Sequence, residues 1–369
     1  MRQTIMEVDC KAFNENIENI EKYVKDKKIM PVIKANAYGT HINKRLDLIN
    51  KFDIVAVAMI DEAIDLRKIG YKKEIFILNQ PYIDDIKDIM KYNITIGLSD
   101  ESFLEEVIEN KYKIKVHLEI ETGMNRTGIK LEELDNFIEK IKTSSKIKVE
   151  GVYTHLSSAD YDEEYTNRQL YTFQKAVNIV KENFDTIKYV HSSASNGLIN
   201  YEDGVSNLVR PGIIMYGYKS FDEVTDKINL KPICKLKTKI TFIKYVDKGE
   251  SISYSRKFVS KNKMKIATIP IGYADGLRRN LFEKGEVIVN GQKTKIVGTI
   301  CMDSCMIDVT GIENVEVGTD VYLWDNELIT IDDIAKKCNT INYEILSTIS
   351  YRVTREFNVK WNSKCNFVK

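Results

Sequence analysis

The stretch Lys28-Ile-Met-Pro-Val-Ile-Lys-Ala-Asn-Ala-Tyr-Gly39 decides how the chain is read. Its run 28–33 is too short and too β-branched for a helix, and Asn36 and Gly39 are turn formers. Lys34 therefore sits where a strand leaves its sheet, the place where α/β barrels carry their chemistry. A lysine there is a Schiff-base candidate, or else an amine whose stem lies along apolar surface while its charge reaches water.

Working outward, short apolar runs alternate with helical patterns through about residue 220, the signature of repeated βα units around a parallel sheet. Eight strands are expected, at 29–34, 53–58, 74–79, 93–98, 114–120, 148–155, 187–191 and 207–215. Between them, segments such as 61–69, 99–108 and 131–141 place apolar residues at i, i+3 or i+4, and Ser99 is the expected N-cap of the second. Eight such units predict an N-terminal (β/α)8 TIM-type barrel over residues 1–225. After about 225 the texture changes to Val/Ile/Thr/Lys strands with glycine turns, at 234–246, 265–270, 286–290, 295–300, 306–310 and 320–323. Asn290-Gly291 is the clearest hairpin turn, and one helix is expected near 330–337. Residues 226–369 read as a mostly-β second domain.

Bulk composition narrows the function. A length of 369 residues allows two domains, and 55 basic against 54 acidic residues leave no net field to recruit nucleic acid or an acidic membrane. No apolar run approaches the roughly 18 residues of a membrane span. The N-terminus has acids and no apolar leader core, so a cytoplasmic protein is expected. Cys10, Cys234, Cys301, Cys305, Cys338 and Cys365 are scattered; only Cys301 and Cys305 are close, with no second pair or histidine to finish a zinc site. Reduced thiols and no metal are expected.

Collecting the polar residues at each strand exit makes one site. Strand one contributes Lys34 and Tyr38, strand five Glu119 to Arg126, strand six Thr154 and His155, strand seven His191 to Ser195, and strand eight Arg210, Gly212 and Ile213. Ser195, Gly212 and Ile213 lie where barrels commonly bind phosphate. A lysine opposite a phosphate cradle suggests pyridoxal phosphate.

The segments Lys34-Ala-Asn-Ala-Tyr-Gly, Thr122-Gly-Met-Asn-Arg-Thr-Gly128, Val152-Tyr-Thr-His155, Val209-Arg-Pro-Gly-Ile213, Ser253-Tyr254, Ile271-Gly-Tyr-Ala-Asp-Gly276, Cys301-Met-Asp303 and Ile341-Asn-Tyr-Glu344 closely resemble bacterial alanine racemases, in order across nearly the whole chain. The resemblance implies a pyridoxal-phosphate barrel and a β domain, in a head-to-tail homodimer whose β domains complete the partner's site. It implies that Lys34 binds the cofactor and exchanges the Cα proton on one face, with Tyr254 as the opposite-face base for the partner's site. Two bases on opposite faces suit inversion. Alone, Tyr254 is one of 20 tyrosines and reads as a strand aromatic.

By the same resemblance, Arg210 faces the pyridine nitrogen, and His155 links Arg210 to the partner's Tyr254. Arg126 and the β-domain residue Met302 orient the substrate carboxylate. Tyr38, Ser195, Gly212, Ile213 and Tyr343 hold the phosphate, and Tyr343 with Tyr273 narrows the mouth for a methyl side chain. Arginine effectively never releases its proton, so the ring nitrogen stays unprotonated and the ring is a poorer electron sink.

Some positions depart from the family pattern. Glu119 stands where the family often has a lysine modified to a carbamate, which pins the arginine corresponding to Arg126; the shorter Glu119 implies a bridging water in place of direct contact. Thr40-His41 stands where the family usually has His-Gly, Ala194 where an asparagine is common beside Ser195, and Thr299 replaces a common arginine. The implied activity is interconversion of L- and D-alanine, the D form supplying peptidoglycan. A broader serine/alanine racemase and a non-catalytic pyridoxal-phosphate carrier are the alternatives, and a decarboxylase is disfavoured because it would set a carboxylate at the position of Arg210.

Overall fold

The computed structural model describes residues 3–219 and 227–358. The expected boundary at 225 and Cys365 lie outside the described residues. Chain contacts divide the structure into two compact units, one of residues 15–37, 42–219 and 227–230, the other of residues 3–14, 38–41 and 231–358.

Strand β1 (Ile5–Asp9) opens the chain. The strands β2 (Lys28–Ile29), β3 (Ile54–Val57), β4 (Glu74–Ile77), β5 (Thr95–Leu98), β6 (Ile114–Glu119), β7 (Ile147–Tyr153), β8 (Tyr189–His191) and β9 (Leu208–Val209) follow. Strands β3 to β8 fall on their expected runs, whereas β2 meets 29–34 only at Ile29, with Val32 adding an isolated bridge, and β9 fills two residues of 207–215, Ile213–Tyr216 turning instead as a 3-10 helix. Strands β3 to β8 form a parallel sheet in sequence order. The ring closes because β2 pairs with β9, Val32 bridges Ala56, and Ala194 bridges Arg210. Each strand is joined to the next by helices, among them Ile60–Lys68, Glu101–Glu109, Leu134–Lys142 and Glu163–Asn183.

Period-2 alternation sorts the strand side chains. Ile75, Ile77, Ile96, Leu98, Val116, Leu118, Val152 and Val190 are buried on one face. The alternate positions carry polar and aromatic groups that meet across the barrel lumen. Phe76 lies 4.4 Å from His117 and 5.6 Å from His191, and Tyr153 stacks on His191 at 5.0 Å. Two lumen glycines make room: a Cβ on Gly97 would lie 2.3 Å from the Tyr153 hydroxyl, and one on Gly151 2.7 Å from the His117 ring.

The β unit holds a nine-stranded sheet made from β1, β10 (Cys234–Lys239), β11 (Phe242–Val246), β14 (Met264–Ile269), β15 (Glu286–Val289), β16 (Gln292–Val297), β17 (Cys305–Asp308), β18 (Asp320–Trp324) and β19 (Thr354–Asn358), in the order β11-β14-β17-β16-β15-β18-β10-β1-β19. A ribbon of β12 (Ser251–Ile252) and β13 (Phe258–Val259) carries Tyr254 in its loop. Asn290 (φ 47°) and Gly291 (φ 74°) make the β15–β16 turn as expected, since both central residues of a type I′ turn need positive φ.

Two further expectations differ from the structure. Residues 5–9 fall within the expected barrel range 1–225, but β1 pairs antiparallel with β10 and parallel with β19, so it belongs to the β sheet. The helix at Glu101–Glu109 is capped by Asp100 rather than Ser99: the Phe103 N–H donates to Asp100 Oδ1 at 2.7 Å, while the Ser99 N–H is spent on Gln80 Oε1. No helix among the described residues is long and apolar enough to cross a membrane.

Candidate active site

Lys34 follows the first barrel strand, where the Ile33 N–H donates to the Ala56 carbonyl. The turn expected from Asn36 and Gly39 is a full left-handed turn: Ala35, Asn36, Ala37 and Tyr38 all hold φ between 52° and 55°. Each non-glycine residue in that region costs about 1–2 kcal/mol. The turn persists because neighbours hold it. The Ala35 N–H donates to Glu62 Oε1 at 2.5 Å, and the Ala37 N–H to the Ile33 carbonyl. Glu62 also receives the Ala58 N–H, so one carboxylate ties together the ends of the first two strands. Burial lowers the Lys34 pKa, Arg126 lowers it further, and Arg210 adds to the effect against Glu62.

Arg210 is 1% exposed and is the most fully bonded residue of the barrel site. Its Nη1 donates to His191 Nδ1 at 2.7 Å and to the His191 carbonyl at 2.8 Å. Its Nη2 donates to the carbonyls of Thr154 (2.8 Å) and Ser192 (2.9 Å), with His155 Nδ1 at 3.3 Å. Burial pulls its pKa down to about 10, partly offset by Tyr153 and Glu119, and the guanidinium stays charged near neutrality. Burial and the same cation push His155 down to about 3, so its imidazole is neutral.

Arg126 is exposed on the loop after β6. The loop is fixed by the Glu121 carboxylate, which accepts the N–H groups of Gly123 and Asn125, and by the Tyr165 hydroxyl on the Gly123 carbonyl. Gly128 is obligatory there, with φ 121° and a Cβ position 2.6 Å from the Glu121 nitrogen. Glu119 makes no hydrogen bond to Arg126. Its Oε1 accepts the Thr127 hydroxyl at 2.9 Å, and its buried Oε2 has no partner among the described residues. Burial raises the Glu119 pKa. Ser195 Oγ accepts the Gly212 N–H at 3.0 Å, which joins the segments after β8 and β9 and brings Ser195, Gly212 and Ile213 together.

In the β unit, the Tyr38 and Tyr343 rings lie 6.0 Å apart. Gly39 allows that approach: a Cβ there would meet the Leu346 carbonyl oxygen at 2.4 Å. Tyr254, Met302 and Tyr273 are 66%, 52% and 43% exposed on hydrogen-bonded loops. The Tyr273 and Ala274 N–H groups donate to the Cys301 and Met302 carbonyls. Thr299, one of the departures, holds the Tyr254 carbonyl with its hydroxyl at 3.1 Å.

Two family models match in tandem: "Alanine racemase, N-terminal domain" over residues 8–220 and "Alanine racemase, C-terminal domain" over residues 233–357. The chain belongs to the alanine racemase family. It is 36% identical to the alanine racemase of Halothermothrix orenii, with 97% of this chain and 98% of the relative covered. It is 38% identical to that of Methanococcus maripaludis, covering 95% and 97%. Among solved structures, alanine racemase from Bacillus anthracis with bound L-Ala-P superposes with a TM-score of 0.91 at 34% identity, covering 98% and 96%. The Clostridium difficile alanine racemase in complex with cycloserine gives 0.87 at 34%, covering 97% and 96%.

Within this alanine racemase fold the sequence reading missed two contributors. Glu62 carried no signal beyond being an early-helix acid. His117 had one: a histidine between Lys115 and Glu119 on the polar face of β6, paired with a strand-interior glycine, Gly151.

Proposed function

We propose that the protein interconverts L- and D-alanine as a cytoplasmic pyridoxal-phosphate-dependent homodimer, the D enantiomer supplying peptidoglycan. The observation that carries the reading is the placing of Lys34, its basicity lowered, among the cations Arg126 and Arg210. Three cations with few facing acids suit a ligand bearing a phosphate and a substrate bearing a carboxylate.

The donor set fits pyridoxal phosphate: the Lys34 amine for its aldehyde carbon, Arg210 for its ring nitrogen, and the Ser195, Gly212 and Ile213 segment with Tyr38 and Tyr343 for its phosphate. When bound, the cofactor supplies an electron-withdrawing ring that acidifies the substrate Cα–H. The protein does the rest. Arg126, with Met302 of the partner subunit, orients the substrate carboxylate. Lys34 takes or returns the proton on one face of Cα, and burial with the nearby Arg126 charge lowers its pKa in the direction that favours this exchange. Tyr254 serves the opposite face in the partner's site. Arg210, charged and anchored to fixed carbonyls, would hydrogen-bond the ring nitrogen without releasing a proton to it, and so would limit charge delocalisation into the ring. The β-unit match at 233–357 weighs against the carrier reading, because such carriers lack that domain.

Borohydride reduction of the cofactor-loaded protein tests the assignment. A phosphopyridoxyl group on the peptide containing Lys34, lost in Lys34→Ala, is expected; stable labelling of another lysine would contradict it.

A further inference from the structure

Arg210 has five N–H donors and no acceptor. Its four terminal hydrogens are committed to His191 Nδ1 and to the carbonyls of His191, Thr154 and Ser192, the longer 3.3 Å approach of Nη2 to His155 Nδ1 sharing one of them. Only Nε–H remains. Because Nη1 can only donate, His191 Nδ1 must accept, so the His191 ring proton lies on Nε2. That nitrogen is 2.9 Å from His117 Nδ1. His117 Nδ1 must accept in turn, which puts its proton on Nε2, an atom that is buried without a partner among the described residues. The opposite polarity would set a His191 Nδ1–H against the Arg210 donor at 2.7 Å. The hydrogen bonds therefore run one way, from the cation through two imidazoles.

The His117 ring cannot easily leave this line. It is fully buried, stacked on Phe76 at 4.4 Å with an interplanar angle of 24°, and edge-on to His191 at 5.1 Å. Gly151 vacates the volume beside it, since a Cβ there would lie 2.7 Å from two ring atoms and 2.9 Å from Nδ1. Burial and the Arg210 charge keep both imidazoles neutral.

We propose that His117 is a positioning residue: by accepting from His191 it locks that ring in the Nε2–H tautomer, and through it aims Arg210 so that Nε–H is the donor left for a bound ligand. Its consequence for cofactor binding rests on the reading above, in which that ligand atom is the pyridine nitrogen. The tautomers themselves do not.

The chain has four histidines, His41, His117, His155 and His191, few enough to assign by single substitutions. In protein labelled with 15N-histidine, cofactor-free and loaded, long-range correlation spectra should show His117 and His191 as neutral Nε2–H tautomers from pH 6 to 9. A His191 proton on Nδ1, or a doubly protonated ring, would overturn the proposal. His117→Phe removes the acceptor, while His117→Asn keeps a carbonyl oxygen near the same place. The Phe variant is expected to bind pyridoxal phosphate about tenfold more weakly and to lose about tenfold in kcat with KM nearly unchanged; the Asn variant should recover most of both. If the Phe variant does not fold, Gly151→Ala displaces the ring without deleting it and should weaken the cofactor similarly. Wild-type cofactor affinity with His117→Phe or Gly151→Ala would refute the role. Protein that shows the assigned tautomers but does not racemise alanine would instead refute the proposed function and leave the hydrogen-bond chain standing.

Discussion

Glu119 is a carboxyl group 3% exposed, with one oxygen on Thr127 and the other without a partner among the described residues. Burial raises its pKa, while Arg126 and Arg210 act against that shift. A residue that needs no chemical modification leads to a simple expectation: turnover measured in degassed, carbon-dioxide-free buffer should equal that in bicarbonate. Glu119→Gln keeps an acceptor for Thr127 and deletes the charge facing the two arginines. A several-fold fall in kcat/KM is expected, and unaltered kinetics would remove any electrostatic role. The sequence identified Glu119 as the departure from the family pattern, but a bridging contact to Arg126 depends on where the loop places Arg126, which spacing does not specify.

The decisive element is the left-handed turn after Lys34. Asn36 tolerates positive φ, but Ala35, Ala37 and Tyr38 do not advertise it, so the sequence shows a turn without its hand or length. Strain held by Glu62 and the strand ends fixes the backbone next to the amine. Ala35 is exposed, so Ala35→Gly changes backbone preference and little else. It should leave thermal stability equal or up to about 1 kcal/mol higher, the opposite of the usual cost of glycine, while lowering kcat because Lys34 is held less tightly. Calorimetry and steady-state rates on that variant check both.

Other elements divide the same way. The six barrel strands β3 to β8 and the Asn290-Gly291 hairpin were legible because hydrophobic period and turn chemistry are local, whereas the first and last runs, which lead into the site's turns, are strand over two residues each. The pairing of β1 with β10 and β19 was not: a period of two shows that a strand exists but not which sheet receives it. The lumen network of His117, His191 and Arg210 was half legible, as polar residues at strand exits, but the contact between β6 and β8 side chains needs the closed ring.

For the whole molecule, the buried imidazoles set the response to acid. His117 is held down to about 3 by burial, against about 6.5 in an unfolded chain. Between those values the unfolded chain binds a proton that the native state refuses, so stability is level above about pH 6.5 and falls as pH falls. His117 alone should cost about 2 kcal/mol by pH 5, with His155 and His191 acting in the same direction. Urea midpoints at pH 7 and pH 5 measure the drop, which should shrink in His117→Asn.

The central claim, two-faced proton exchange at an amino-acid Cα, is tested most directly by incubating the protein with pyridoxal phosphate and L-alanine in deuterated water, with L-serine in parallel, following chirality and Cα deuterium. The account predicts D-alanine carrying solvent deuterium and much slower turnover of serine. Bound cofactor with no exchange for either amino acid would contradict it and would move the carrier reading to first place.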